Sequence, residues 1–257
     1  MLPMPHQVHR LRTRHAAGLM TAVALMLIAA CSRDPEPPQT VEERESQKAV
    51  QDEAAEAPPT RPLDSPPAEA LGTVPPGHGL ELGARVPEVS LRNADGERVE
   101  LQELADGRAV LIGFYRGGWC PFCNTQVRQF AVELEAFEQR RITPILISVD
   151  QVSETAKTEA AYEIPFPILS DSELAAHGAF RVLFEVPEDE VERLRSMGMD
   201  LEAASGHNHN TLALPSLFLF DASGELLWQH VDADYKVRPR LEQILEVLGE
   251  HGFESGT

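Results

Sequence analysis

The stretch GFYRGGWCPFCNTQ, residues 113–126, decides how this chain is read. It places Cys120 and Cys123 two residues apart, with Trp119 in front and Pro121 between them. Just upstream, AVLIGFY (109–115) is an uninterrupted apolar run, the pattern of a strand buried on both faces. Just downstream, Val127, Phe130, Ala131, Leu134 and Phe137 recur at helical spacing. The cysteines therefore sit at a strand-to-helix junction. There the first sulfur lies beside unpaired backbone N–H groups and the positive end of a helix dipole, both of which lower a thiol pKa. Cys120 is expected to be the exposed, thiolate-rich attacker. Cys123, one turn further and facing inward, is expected to resolve whatever Cys120 has bonded. Pro121 suits the first helical turn, where a missing N–H costs nothing.

Two other uses of the pair stay open on spacing alone. A zinc site needs two further ligands at suitable separation. No second CxxC exists, and the candidates are His207 and His209 of HNH and isolated histidines. A structural disulfide would suit an oxidising compartment. A two-residue spacer, however, closes so small a loop that little unfolded-state entropy is removed.

Outward from the pair, regular patterning runs from about residue 80 to 250, the size of one α/β domain. PEVSL and RVELQEL flank Asp95-Gly96, a hairpin signal, and predict an N-terminal β-hairpin extension. PILISVD (144–150) is a second buried strand, followed by the polar helix SETAKTEAAYE. FPILSD and ELAAHGAF add a short strand and helix, and LFLFD and LLWQHV form a second hairpin around Gly224. A last helix opens at Pro239, with Leu241, Ile244, Leu245 and Leu248 on one face. This alternation predicts a central mixed β-sheet covered by helices on both faces. Residues 184–212 read as an insertion with a helix from Glu188, either a solvated excursion or a cover over the cysteines. Residues 251–257 remain as a C-terminal tail.

The third cysteine, Cys31, has a separate explanation. Residues 1–15 carry Arg10, Arg12 and Arg14 and no acidic residue, and an apolar run then leads to IAAC. A basic start followed by an apolar stretch of this length reads as an export signal over residues 1–30, too short for a typical membrane span. IAAC resembles the lipobox of bacterial lipoproteins. That resemblance implies cleavage after Ala30, a lipid on the sulfur of Cys31, and a chain held on a bacterial membrane facing the periplasm or cell surface. Residues 31–79 read as a disordered tether: from Ser32 to His78 there are ten prolines and no aromatic residue. The net charge of −19 argues against nucleic acid, whose phosphates reward Lys and Arg.

With WCPFC at this junction, the domain resembles the thioredoxin superfamily, and within it the peroxiredoxin-like alkyl hydroperoxide reductase/thiol-specific antioxidant branch. FYRGGWCPFCNTQ, FPILSD, MGMDLEA, LPSLFLFDASGELLW and HVDADYKVRP follow that branch in order over residues 81–249. The resemblance implies a thioredoxin-like fold and thiol-based redox chemistry by Cys120 and Cys123, with no cofactor beyond their redox-active disulfide and no metal. It implies a dithiol electron donor, such as a thioredoxin-like protein or membrane reductase, and a peroxide or protein disulfide as substrate. It also places Pro215 as a cis-proline facing the cysteines, with Trp119, Pro121 and Arg116 as supporting residues. Counted back from Cys120, the family's PxxxTxxC pattern falls on Gly113 and Gly117, and the family's distant Arg falls at Pro215. Disulfide exchange needs only the CxxC, the helix terminus and the docking proline. A sensor module that reports redox state without turnover is the remaining alternative. Asp232, Asp234, Tyr235 and Arg238 belong to the same resemblance and receive no chemical role from sequence.

Overall fold

The computed structural model describes residues 60–105 and 107–256. The export signal, Cys31 and most of the expected tether lie outside the described residues. The apolar run ahead of the cysteines forms β3 (Ala109–Phe114), buried along its whole length. It is the hub of a seven-stranded mixed sheet in the order β2-β1-β5-β4-β3-β8-β9. Here β1 is Ser90–Arg92, β2 Arg98–Glu100, β4 Ile142–Ser148, β5 Ile168–Ser170, β8 Ser216–Phe220 and β9 Leu226–Val231. β3, β4 and β5 run parallel, while β8 lies antiparallel to β3 with Phe114 opposite Ser216. The expected N-terminal hairpin is β1–β2, turned by Asn93, whose Oδ1 accepts from the N–H groups of Asp95 and Glu97.

The period-2 alternation of β3 divides the core. Val110, Ile112 and Phe114 join Leu101, Ala176, Phe180 and Phe218 on one face. Leu111 joins Phe130, Phe137, Leu219, Ile244 and Leu248 on the other, in the cluster that also holds both cysteines. The first face is covered by α1 (Leu101–Ala105) and α5 (Ala175–Ala179). The second carries α2 (Pro121–Val132), α3 (Leu134–Glu138) and α8 (Leu241–Glu250). α4 (Val152–Tyr162) follows β4 and contributes Tyr162 to that second cluster.

The insertion is folded. β6 (Leu183–Glu185) and β7 (Thr211–Ala213) pair as a small second sheet, with α6 (Glu188–Ser196) and α7 (Leu201–Ser205) between them. Asp200 caps α7, its carboxylate accepting from the N–H groups of Glu202 and Ala203. Val191, Leu194, Leu201 and Leu212 form a third apolar cluster with Val149, against which Trp119 packs.

The expectation of a disordered tether reaching residue 79 needs correction over residues 60–79. Arg61 N–H donates to Pro121 O at 3.0 Å, and Thr125 Oγ1 donates to Arg61 O at 2.6 Å. Asp64 forms a parallel bridge with Val237, and Gln243 Nε2 donates to Pro66 O. Further on, Val231 N–H donates to Thr73 O and Gly79 N–H to Arg181 O. A proline-rich, polar segment lacks the side chains for a core of its own. Its main chain still supplies donors and acceptors to a surface already formed by other elements.

Candidate active site

The site is built where the parallel strands end. Cys120 is the N-cap of α2 in extended geometry, and Pro121 occupies the first helical turn. Cys123 lies one turn into the helix. Asp150 follows β4, and Pro215 immediately precedes β8, so both emerge at the same sheet edge as the cysteine loop. The carbonyl of Pro215 accepts from Asp232 N–H at 3.0 Å.

The expected exposure of Cys120 is not found. Cys120 is 1% exposed and Cys123 0%, both inside the core cluster under α2. Trp119 packs against both that cluster and the insertion's.

The electrostatics of the pair also reverse the expectation. The Cys120 thiol donates to Cys123, and this hydrogen bond, together with burial and the Cys123 charge, pushes the Cys120 thiol far up. Burial alone would push Cys123 up as well. The hydrogen bond from Cys120, the Arg238 charge, the backbone N–H of Arg116 and the Arg116 charge outweigh it and bring Cys123 down from 9.0 to about 6. The same hydrogen bond thus pushes Cys120 up and brings Cys123 down. The helix terminus alone favours the first cysteine. The hydrogen bond from Cys120 does most to lower Cys123, and a cation from elsewhere in the chain adds to it.

That cation is Arg238, to which sequence reasoning assigned no role. It is 2% exposed, with Nη2 3.5 Å from Cys123 Sγ. Its Nη1 is anchored by the carbonyls of Tyr235 and Val237 at 2.6 and 2.9 Å, and its backbone N–H by Asp64 O at 2.8 Å. The only sequence signal was its membership in the HVDADYKVRP segment. Counted back from Cys123 instead of Cys120, the seventh residue is Arg116 and the third is Cys120.

Arg116 is buried between two aromatic rings. It is 5% exposed, with its guanidinium 4.2 Å from the Tyr235 ring centre and 5.1 Å from that of Trp119. Tyr235 also meets Phe122 edge-on at 5.6 Å. Arg193 of α6, paired with Glu190, interacts with Tyr235 as well, so the insertion reaches the rim of the site.

The loop between Arg116 and Cys120 is held from below. Asp150 Oδ2 accepts from Gly118 N–H at 2.7 Å, and buried Asn124 donates through Nδ2 to Gly118 O at 2.8 Å. Gly117 has φ +152°, and a Cβ there would lie 2.3 Å from Trp119 Nε1 and 2.5 Å from Asp150 Oδ1. Gly113 is closed for a different reason: a Cβ would lie 2.8 Å from Leu146 Cδ2. The two positions where the Cys120 register expected Thr and Pro therefore have no room for a side chain.

Among the described residues no group of three or more His, Cys, Asp and Glu is arranged to hold a metal. His207 and His209 stack at 5.8 Å in the loop before β7. His209 accepts from Thr211 N–H on Nδ1 and donates from Nε2 to Ser172 O at 3.0 Å.

Residues 82–229 match the AhpC/TSA family. The chain is 25% identical over 171 residues to peroxiredoxin Bcp of Bacillus subtilis, covering 66% of this chain and 95% of that protein. It is 33% identical over 92 residues to a chloroplastic peroxiredoxin Q of Oryza sativa, covering 36% of this chain and 42% of that protein. The fold matches that of peroxidoxin BcpB from Mycobacterium tuberculosis with a TM-score of 0.52 at 18% identity, covering 66% of this chain and 95% of that one. It matches reduced Prx3 from Vibrio vulnificus with a TM-score of 0.54 at 14% identity, covering 66% and 99% of the two chains. With the family match spanning more than half of its length over the strands and helix that carry the cysteines, the chain belongs to the AhpC/TSA family, the peroxiredoxin-like, thiol-dependent oxidoreductases of thioredoxin-like fold.

Proposed function

We propose that this protein reduces peroxides with Cys123 as the attacking sulfur and Cys120 as the resolving one, the reverse of the order expected from helix position. The observation that carries this reading is the 3.5 Å approach of Arg238 to Cys123 Sγ. A buried cation stabilises the thiolate and the negative charge that passes to the peroxide oxygens as the O–O bond breaks. Cys123 attacks the peroxide and becomes a sulfenic acid, and the Cys120 thiol displaces water to form the Cys120–Cys123 disulfide. A dithiol donor then reduces that disulfide by exchange. The reduced Vibrio vulnificus relative in fold was solved in complex with H2O2, which supports peroxide as the substrate class. The basic start, apolar run and IAAC of the sequence support a chain anchored through a lipid on Cys31, working outside the cytoplasm.

A second reading, disulfide exchange on protein substrates, is favoured by Gly117, which removes a side-chain hydroxyl where one register of the family pattern has Thr. Single-turnover mixing with hydrogen peroxide separates the two readings and assigns the roles. Cys120→Ser is expected to consume one equivalent of peroxide and accumulate a dimedone-reactive sulfenic acid on Cys123. Cys123→Ser is expected to consume none. A sulfenic acid on Cys120 in the Cys123→Ser variant would reverse the roles. No peroxide consumption by the wild type, with catalysed reduction of a protein disulfide, would favour the second reading.

A further inference from the structure

Residues 60–67, TRPLDSPP, meet the cysteine site through their main chain. Pro62, Pro66 and Pro67 fix φ along this stretch and favour an extended course at little further cost in chain entropy. They also leave it few N–H groups, and those of Arg61 and Asp64 both go to the site. Arg61 N–H donates to Pro121 O at 3.0 Å and to Thr125 Oγ1 at 3.2 Å, while the Thr125 hydroxyl donates to Arg61 O at 2.6 Å. Pro121 and Thr125 stand two residues before and two after Cys123 on α2. Arg61 therefore grips the turn that carries that sulfur.

Asp64 grips the other half of the contact. Its N–H donates to Lys236 O at 3.1 Å and its carbonyl accepts from Arg238 N–H at 2.8 Å, a parallel bridge that brackets Val237. The Arg238 guanidinium is held in turn by the carbonyls of Tyr235 and Val237, so it moves with the turn these residues form. That turn is otherwise closed on itself: Val237 N–H donates to Asp234 O, and Lys236 N–H to the Asp234 carboxylate. Among the described residues, the main-chain bonds of residues 236–238 that leave the turn all go to Asp64. Pro66 O then accepts from Gln243 Nε2 on α8, whose Oε1 accepts from Arg240 N–H just beyond Arg238. The Asp64 side chain is exposed, so its main chain does the holding. Both halves of the bridge lie outside residues 82–229, the stretch matched to the family.

We infer that residues 61–66 are a positioning strap that holds the Arg238 guanidinium against Cys123. The inference rests on the proposed use of Cys123 as the reactive thiolate. The two elements that meet at 3.5 Å, α2 and the turn before α8, are each bonded to the same short, proline-stiffened segment. Its two grips stand three residues apart, so the strap fixes their spacing and with it the distance between cation and sulfur. Attraction between opposite charges falls as they separate, and falls again as water enters between them. With the strap undocked, the turn keeps its internal bonds and loses its anchor, and the guanidinium is free to leave the sulfur. Arg61 and Asp64 act through α2 and Arg238, as positioning residues.

The test is thiolate absorbance against pH on the reduced full-length protein, with two substitutions that each remove one main-chain donor. Asp64→Pro removes the N–H that bonds Lys236 O, and Arg61→Pro the N–H that bonds Pro121 O. Each is expected to raise the midpoint of the first thiolate by about half to one unit, a roughly three- to tenfold fall in thiolate fraction below the midpoint. Asp64→Ala and Arg61→Ala keep the main-chain bonds and are expected to leave the midpoint in place. In an Arg238→Met background the proline substitutions are expected to add nothing, because the charge they position is gone. Faster amide exchange at Arg238, whose N–H bonds Asp64 O, is expected to accompany the shift. If one proline variant fails to fold, the substitution at the other grip carries the same test. An unmoved midpoint, a matching shift in the alanine variants, or an equal shift in the Arg238→Met background would overturn the inference. No step uses peroxide, so a wild type that turns over no peroxide while its midpoint follows the strap counts against the peroxidase reading alone.

Discussion

Arg238 Nη2 lies 3.5 Å from Cys123 Sγ although 115 residues separate them in sequence. The contact places a fixed positive charge on the second cysteine of the CxxC pair, in a site from which water is excluded. There a unit charge acts far more strongly than at the surface.

Replacing Arg238 by Met keeps much of the side-chain volume and removes the charge. The Cys123 thiol is expected to rise by about 1–3 pH units, as for an ionisable group losing an opposite charge at this range. Thiolate absorbance against pH reads the shift directly. The rate of Cys123 alkylation near neutrality is expected to fall roughly tenfold or more. An unchanged midpoint would show that the helix terminus and Arg116 suffice.

Gly117→Thr introduces a side-chain hydroxyl three residues before Cys120. The structure has no room for it beside Trp119 Nε1 and Asp150 Oδ1, and the backbone there has φ +152°. The expected outcome is a loss of about 1–3 kcal/mol, read as a Tm lower by about 2–4 °C per kcal/mol, with no gain in peroxide turnover.

Thr125→Val removes the two hydrogen bonds between the Thr125 side chain and Arg61 and leaves Arg61 N–H on Pro121 O. A loss of about 1 kcal/mol is expected for the segment's docking. Amide hydrogen exchange at Arg61 and Asp64 is expected to speed about fivefold, while the amides of β3 stay protected.

Asp150 also makes stability depend on pH. Its carboxyl has a folded value of about 7 against 3.8 when free, so the folded state binds the proton more tightly. The stabilisation is present below about pH 4 and is lost as pH rises towards 7. Asp150→Asn lacks this loss. Urea unfolding across pH 4–7 is expected to show the wild type falling behind the variant by a few kcal/mol, order of magnitude. Cys123, held at about 6, works in the other direction, stabilising the fold progressively from pH 6 to 9 in both proteins.

The sequence by itself determined the elements and where the chemistry sits. Alternating and helical periodicities depend on neighbours a few residues away, so β3, α2, α8 and both hairpins of the main sheet were legible, as was the junction that carries the cysteines. Pro121 in the first turn and the helix from Glu188 followed from the same local rules. Only the tertiary structure placed a cation beside the second cysteine. A thiol pKa reports every charge and dipole within several ångströms, and one of the charges acting on Cys123, Arg238, arrives on a segment before the last helix. The same holds for Asp150 under the loop, for Arg116 between Trp119 and Tyr235, and for Arg61, Asp64 and Pro66 bound to α2, Val237 and α8. Each is polar and unremarkable in sequence, and each acquires its role from what the fold brings beside it and from the water it excludes.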